Sequence, residues 1–114
     1  MEAFVLQIIG TKSCNETKKA IRYCKERSIN FQFIDLKVDK LSDGVYKKIF
    51  QNVELEDLID TKSNYYVKNG YQYIEYDITE EVVEHPELLK TPILRDKNRA
   101  TVGFDETFIE QFRS

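Results

Sequence analysis

Phe4, Val5, Leu6, Ile8 and Ile9 form a nearly continuous apolar run that Gly10 ends. A run of this kind predicts a strand covered on both faces, which a chain achieves by placing helices on either side of a mixed α/β sheet. The segment after it, Thr11-Lys12-Ser13-Cys14-Asn15, is small and polar. Ala20, Ile21 and Cys24 then recur on one side of a helix whose other side carries Lys18, Lys19, Arg22, Lys25 and Arg27. The chain therefore opens as strand, loop and amphipathic helix.

A second apolar run at residues 31–34 is followed by Asp35 and by a polar stretch in which Leu41, Val45 and Phe50 predict a second helix. Right-handed crossover then makes the first two strands parallel neighbours. Leu55, Leu58 and Ile59 read as helical, whereas Tyr71-Gln72-Tyr73-Ile74-Glu75-Tyr76 alternates like a strand. Residues 77–81 offer a helix N-terminus, with Val82, Val83 and Leu88 on its buried side. Residues 92–94 and 101–103 flank the polar turn Asp96-Lys97-Asn98-Arg99 and predict a hairpin. Phe108, Ile109 and Phe112 share one helical face and predict a short closing helix.

At 114 residues the chain is expected to form one domain over 1–114, enough for a modest core without metal or disulfide staples. A formal net charge of −3 provides no broad positive field, so direct binding to nucleic acid through its phosphates is not expected. No apolar run approaches the roughly 20 residues of a membrane span, and Glu2 stands where a signal peptide would be basic. The expected location is cytoplasmic. Two cysteines and one histidine are too few for the usual zinc sites, which need about four such ligands, so no metal is expected. His85, between Glu84 and Pro86, reads as a solvated residue at a helix end, with a Cys/His nucleophilic pair as the alternative.

Cys14 is the residue with chemical potential. A thiol at the first turn of a helix faces unsatisfied backbone N–H groups and the positive end of the helix dipole, which favour thiolate. Lys18, one turn on, and Lys12 before it bring cations toward the same place, while Glu16 opposes them. Position alone does not separate a reactive thiol from a small cap residue. Cys24 falls on the apolar stripe and reads as core. Ten helical residues separate the two cysteines by roughly 15 Å, so no bridge between them is expected, and an oxidised Cys14 requires an external thiol.

The segment Gly10-Thr11-Lys12-Ser13-Cys14-Asn15-Glu16-Thr17-Lys18-Lys19-Ala20 resembles the opening of the ArsC/Spx branch of the thioredoxin superfamily. The resemblance continues through Ile29-Asn30-Phe31, Ile34-Asp35-Leu36, Leu58-Ile59-Asp60-Thr61-Lys62-Ser63, the stretch Glu84-His85-Pro86-Glu87-Leu88-Leu89-Lys90-Thr91-Pro92-Ile93, and Val102-Gly103-Phe104-Asp105-Glu106. It implies an α/β, thioredoxin-like fold: a four-stranded mixed sheet with flanking helices and a helical insertion at about 52–90, before the proline strand. It thereby moves residues 71–76 from strand to insertion. It also implies that Pro92 is cis, with the Thr91 backbone beside Cys14.

Arsenate reductases of this family use the cysteine as nucleophile, arginines to hold the oxyanion, and glutathione with glutaredoxin to complete turnover. Here Lys62 stands at the central arginine's position, Thr91 at that of the arginine before the proline, and the closing-strand position falls near Gly103. Lysine lacks the planar fork that grips an oxyanion bidentately, and threonine supplies no charge. Arg95 and Arg99, near the hairpin, are the remaining candidates for that role. The resemblance thus implies a thiol oxidoreductase with Cys14 and Lys18 catalytic, Lys12, Lys62, Thr91 and Pro92 at the substrate, and glutathione or glutaredoxin resolving the cysteine, without efficient arsenate reduction. The alternatives are an Spx-like protein that binds the C-terminal domain of the RNA polymerase alpha subunit, or a redox-inactive family member. The Spx switch is a Cys-x-x-Cys pair, and Thr17 occupies the second cysteine's place here.

Overall fold

The computed structural model describes residues 5–113. Phe4, assigned above to the first apolar run, and Glu2 lie outside them. The first strand, β1, spans Leu6–Gly10, and Val5 lies before it, substantially exposed. Leu6 and Ile8 point to one face of the sheet and Ile9 to the other, and all three are fully buried because helices cover both faces.

Helix α1, Asn15–Glu26, returns the chain to strand β2, Phe31–Asp35, which pairs parallel to β1. The helix buries Thr17, Ala20, Tyr23 and Cys24. Its end is closed by bonds from Ile29 N–H to the Cys24 carbonyl (2.9 Å) and from Ser28 N–H to the Lys25 carbonyl, with Ser28 at a positive φ of 55°. Helix α2, Asp43–Asn52, begins with the Ser42 hydroxyl accepting from Val45 N–H and buries Tyr46 and Ile49 against the sheet.

The segment between α2 and the third strand is helical. A 3₁₀ turn at Leu55–Leu58, helix α3 at Asn64–Lys68, a 3₁₀ turn at Tyr71–Tyr73, helix α4 at Ile78–Glu84 and a 3₁₀ turn at Pro86–Leu88 follow one another. An antiparallel bridge between Ile59 and Leu89 closes the segment, with Lys90 N–H donating to the Leu58 carbonyl at 2.7 Å. The alternation at 71–76 therefore does not form a strand, as the family resemblance implies. Tyr71 is buried within a cluster of tyrosine rings and donates to Glu81, while Tyr73 points into solvent. Asp77 caps α4 as expected, but only Val82 of its two valines enters the core. Val83, expected to be buried, is 37% exposed, because a helix of this length turns one residue inward and its successor roughly 100° away.

Strand β3, Ile93–Arg95, runs antiparallel to β1, and β4, Ala100–Val102, closes the hairpin around Asp96–Arg99. The strand order is β2-β1-β3-β4, a four-stranded mixed sheet. Helix α5, Glu106–Glu110, buries Phe108 and Ile109 on the α1 side, and Phe112 follows just beyond it.

One close approach sets α1 against β1. A Cβ added to Gly10 would lie 2.3 Å from Thr17 Oγ1 and 2.8 Å from Thr17 Cγ2. Gly10→Ala is therefore expected to destabilise the chain by about 1–3 kcal/mol in urea unfolding, and Thr17→Ala in the same background to recover part of that loss. Unchanged stability in Gly10→Ala would show that the contact relaxes freely.

Candidate functional site

The polar segment after β1 turns back on itself, with Cys14 N–H donating to the Thr11 carbonyl at 3.2 Å, and Cys14 becomes the N-cap of α1. Its backbone is extended, and its side chain caps no helical N–H. The sulfur points instead across the sheet end, where the thiol donates to the Thr91 carbonyl at 3.6 Å. That carbonyl precedes a cis Thr91-Pro92 peptide, and Pro92 is fully buried. Sheet order explains the meeting of residues 77 positions apart: β3 lies beside β1, with Ile93 opposite Ile9, so Thr91 and Pro92 arrive beside the loop that leaves Gly10. The Pro92 carbonyl in turn accepts from Gly103 N–H at 2.7 Å, and Gly103 has a φ of 89°.

Partial burial alone pushes the Cys14 thiol up. The Thr17 hydroxyl, the Thr91 side chain and the backbone N–H groups of Thr17 and Glu16 outweigh it, and the net shift is downward. Thr17 is fully buried, and its Oγ1 has no hydrogen-bond partner among the described residues. A thiolate supplies the acceptor that this hydroxyl lacks, so ionisation relieves an otherwise unsatisfied buried donor. Cys24, fully buried in the α1 core, is pushed up to about 11 by burial and then by the Glu110 charge. Both cysteines are free.

The site thus unites Cys14, Thr91 and Pro92 as expected and adds Thr17, which the sequence reading left out. Its signal was available, since 17, 20 and 24 follow the helical period of the buried stripe and place a hydroxyl one turn from the thiol on the inner side. The lysines are placed differently. Lys12, Lys18 and Lys62 are exposed, and the hydrogen-bond donors around the sulfur, rather than these ammoniums, are what lower its pKa. Lys62 belongs to a turn in which its own N–H donates to Asp60.

Neither hairpin arginine replaces the family's clamp. Arg95 is buried at the end of β3 remote from Pro92, opposite Gln7, to which it donates. Arg99 is held by Asp96, with bonds of 2.8 and 2.6 Å, and by Gln111. His85 is not simply solvated: its Nδ1 meets the Tyr65 hydroxyl at 2.9 Å, and the ring packs on Tyr65. No described helix is long and apolar enough to cross a membrane.

A cysteine at the start of the first helix, facing the carbonyl before a cis-proline at the head of the neighbouring strand, defines a thioredoxin-like protein. The chain belongs to the ArsC family, whose sequence model matches residues 9–112. It is 31% identical over 113 residues to the global transcriptional regulator Spx of Enterococcus faecalis, an alignment covering 95% of this chain and 86% of that protein. It shares its fold with an arsenate reductase from Vibrio cholerae, at a TM-score of 0.73 and 18% identity over 97% of both chains. An arsenate reductase related protein from Brucella melitensis superposes with a TM-score of 0.70 and 22% identity, covering 98% of this chain and 97% of the other.

Site-resolved iodoacetamide alkylation across pH is expected to give Cys14 a midpoint below the ordinary thiol value and to leave folded Cys24 unmodified. Thr17→Val, which keeps the shape and removes the donor, is expected to move the Cys14 midpoint upward. The sign for stability follows from the depressed value: stabilisation by the Cys14 thiolate is present above the ordinary thiol pKa and lost as pH falls through the folded one. A wild-type midpoint at or above the ordinary value would contradict this account of the site.

Proposed function

We propose that the chain is a single-cysteine thiol oxidoreductase of the ArsC type, with an external thiol as its resolving partner. The observation that carries this reading is the environment of Cys14: a half-exposed sulfur among donors that favour thiolate, facing the Thr91-Pro92 segment, while Cys24 is sealed in the core. In such a reaction the Cys14 thiolate attacks one sulfur of a disulfide, a Cys14 mixed disulfide forms, and the other sulfur leaves as a thiolate. A second thiol, glutathione or a glutaredoxin cysteine, then releases Cys14. Thr17 and the backbone N–H groups at the helix start stabilise the attacking and departing thiolate at Cys14, while the Thr91 carbonyl accepts from the sulfur only in its resting thiol form. Oxyanion reduction is disfavoured, because Lys62 and Thr91 lack a guanidinium fork and Arg99 is already paired.

Incubation with oxidised glutathione is expected to produce a Cys14–glutathione disulfide, seen by mass spectrometry and reduced by glutaredoxin, and absent in Cys14→Ser. Failure of wild-type protein to form that adduct overturns the reading.

Similarity to Spx across 95% of the chain supports a second reading, a binding protein for the C-terminal domain of the RNA polymerase alpha subunit that needs no turnover. Calorimetric titration with that domain is expected to saturate below about 100 μM, equivalent to roughly 5.5 kcal/mol of binding. Absence of heat and of any NMR shift at that concentration excludes it.

A further inference from the structure

The outward side of α1 carries a charge pattern that the thiol chemistry at its N-terminus does not use. Residues 12–27 hold six of the chain's 17 basic side chains and only two of its 20 acidic ones. Three of those cations, Lys18, Arg22 and Lys25, fall with Cys14 within an arc of roughly 80° on the helix, since each residue advances about 100°. All three are exposed, and none makes an ion pair among the described residues. Their neighbours are otherwise engaged: Lys19 lies over the Phe104 ring at 4.7 Å, and Arg27 over Tyr23 at 3.7 Å. Of the two acids, Glu16 projects on the opposite side of the helix and Glu26 flanks the stripe beyond Arg22. Three unpaired cations in line leave a positive strip on a chain whose overall charge is negative, and the strip leads to the sulfur.

A second feature marks the sulfur end of this strip: the Thr17 hydroxyl, three residues from Cys14 in the first turn of α1, is fully buried and has no hydrogen-bond partner among the described residues. We infer that the Cys14–Lys18–Arg22–Lys25 stripe is a docking track for an acidic polypeptide, holding it so that a sulfur on that polypeptide meets Cys14. The inference rests on the thiol reading above and names the class of partner for it. Lys18 through Lys25 extend about 16 Å from Cys14 at 1.5 Å per residue, the reach of about five residues of extended chain at 3.3 Å each. The partner therefore carries carboxylates within about five residues of its own reactive sulfur. Long-range attraction of this kind acts on the encounter rate and is screened by salt.

The probes are two synthetic peptides in which one cysteine is activated as its mixed disulfide with thionitrobenzoate, flanked on both sides by five-residue runs of acidic or of basic side chains. The Cys14 thiolate attacks the peptide sulfur, the Cys14–peptide disulfide forms, and thionitrobenzoate leaves as a coloured thiolate, so no further oxidant enters. Rates are normalised to iodoacetamide alkylation of the same protein. At low ionic strength the acidic peptide is expected to react about tenfold faster than the basic one, with the ratio approaching one at about 0.5 M salt. The double variant Arg22→Glu, Lys25→Glu is expected to lose or reverse the preference. Equal rates for the two wild-type reactions overturn the docking track while leaving the thiol reading intact. A preference that persists in the double variant assigns it to another surface and also overturns the track. No reaction with either peptide overturns the thiol reading, and the track with it.

Discussion

Gly10 has no side chain, and Thr17 occupies the space one would have taken, 2.3 Å from the position of a Cβ. Through that contact the first turn of α1 rests on the last residue of β1, and the short loop between them, residues 11–14, carries the thiol. The other end of α1 is closed by the Ser28 and Ile29 bonds, so the helix is held at both ends. The same threonine then serves the chemistry, since the packing that buries Thr17 Cγ2 also buries its hydroxyl one turn from Cys14.

Electrostatic tuning of Cys14 comes from short-range, neutral groups. Two threonine side chains and two backbone N–H groups contribute more to the thiolate than flexible, hydrated ammoniums at the surface, whose interactions solvent screens. Lysines near a cysteine in sequence are thus a weak guide to its acidity. In this chain their arrangement bears on the approach of another charged molecule, because Lys18 and Lys25 line one side of the helix with Arg22 and make no ion pair among the described residues.

The helical segment between α2 and β3 was the least legible part of the chain. The stretch Tyr71-Gln72-Tyr73-Ile74-Glu75-Tyr76 reads as the alternation of a half-buried strand, yet Tyr71 packs among Tyr65, Tyr66 and Tyr76 while Tyr73 is solvated. Ring-to-ring contacts and the Glu81 carboxylate that accepts from Tyr71 hold a 3₁₀ turn there. His85 does close α4 with a side chain still 39% exposed, but its partner Tyr65 lies 20 residues away in the chain, and its immediate neighbours gave no hint of that bond. By contrast, the hairpin around Asp96–Arg99 and the Asp77 cap were readable, because turns and caps are set by residues three or four apart.

Local order alone determined that Cys14 begins a helix after a buried strand and that no second cysteine stands within reach of it. Those are matters of residue identity and of spacing within a few turns. Tertiary structure decided what surrounds the sulfur. The Thr91 carbonyl reaches it across 77 residues because β3 inserts beside β1, and Arg95 is withdrawn from it because the antiparallel register sends that side chain to the far end of the sheet. Strand order and register are properties of the assembled sheet, set by which faces the helices cover, and no spacing along the chain encodes them directly.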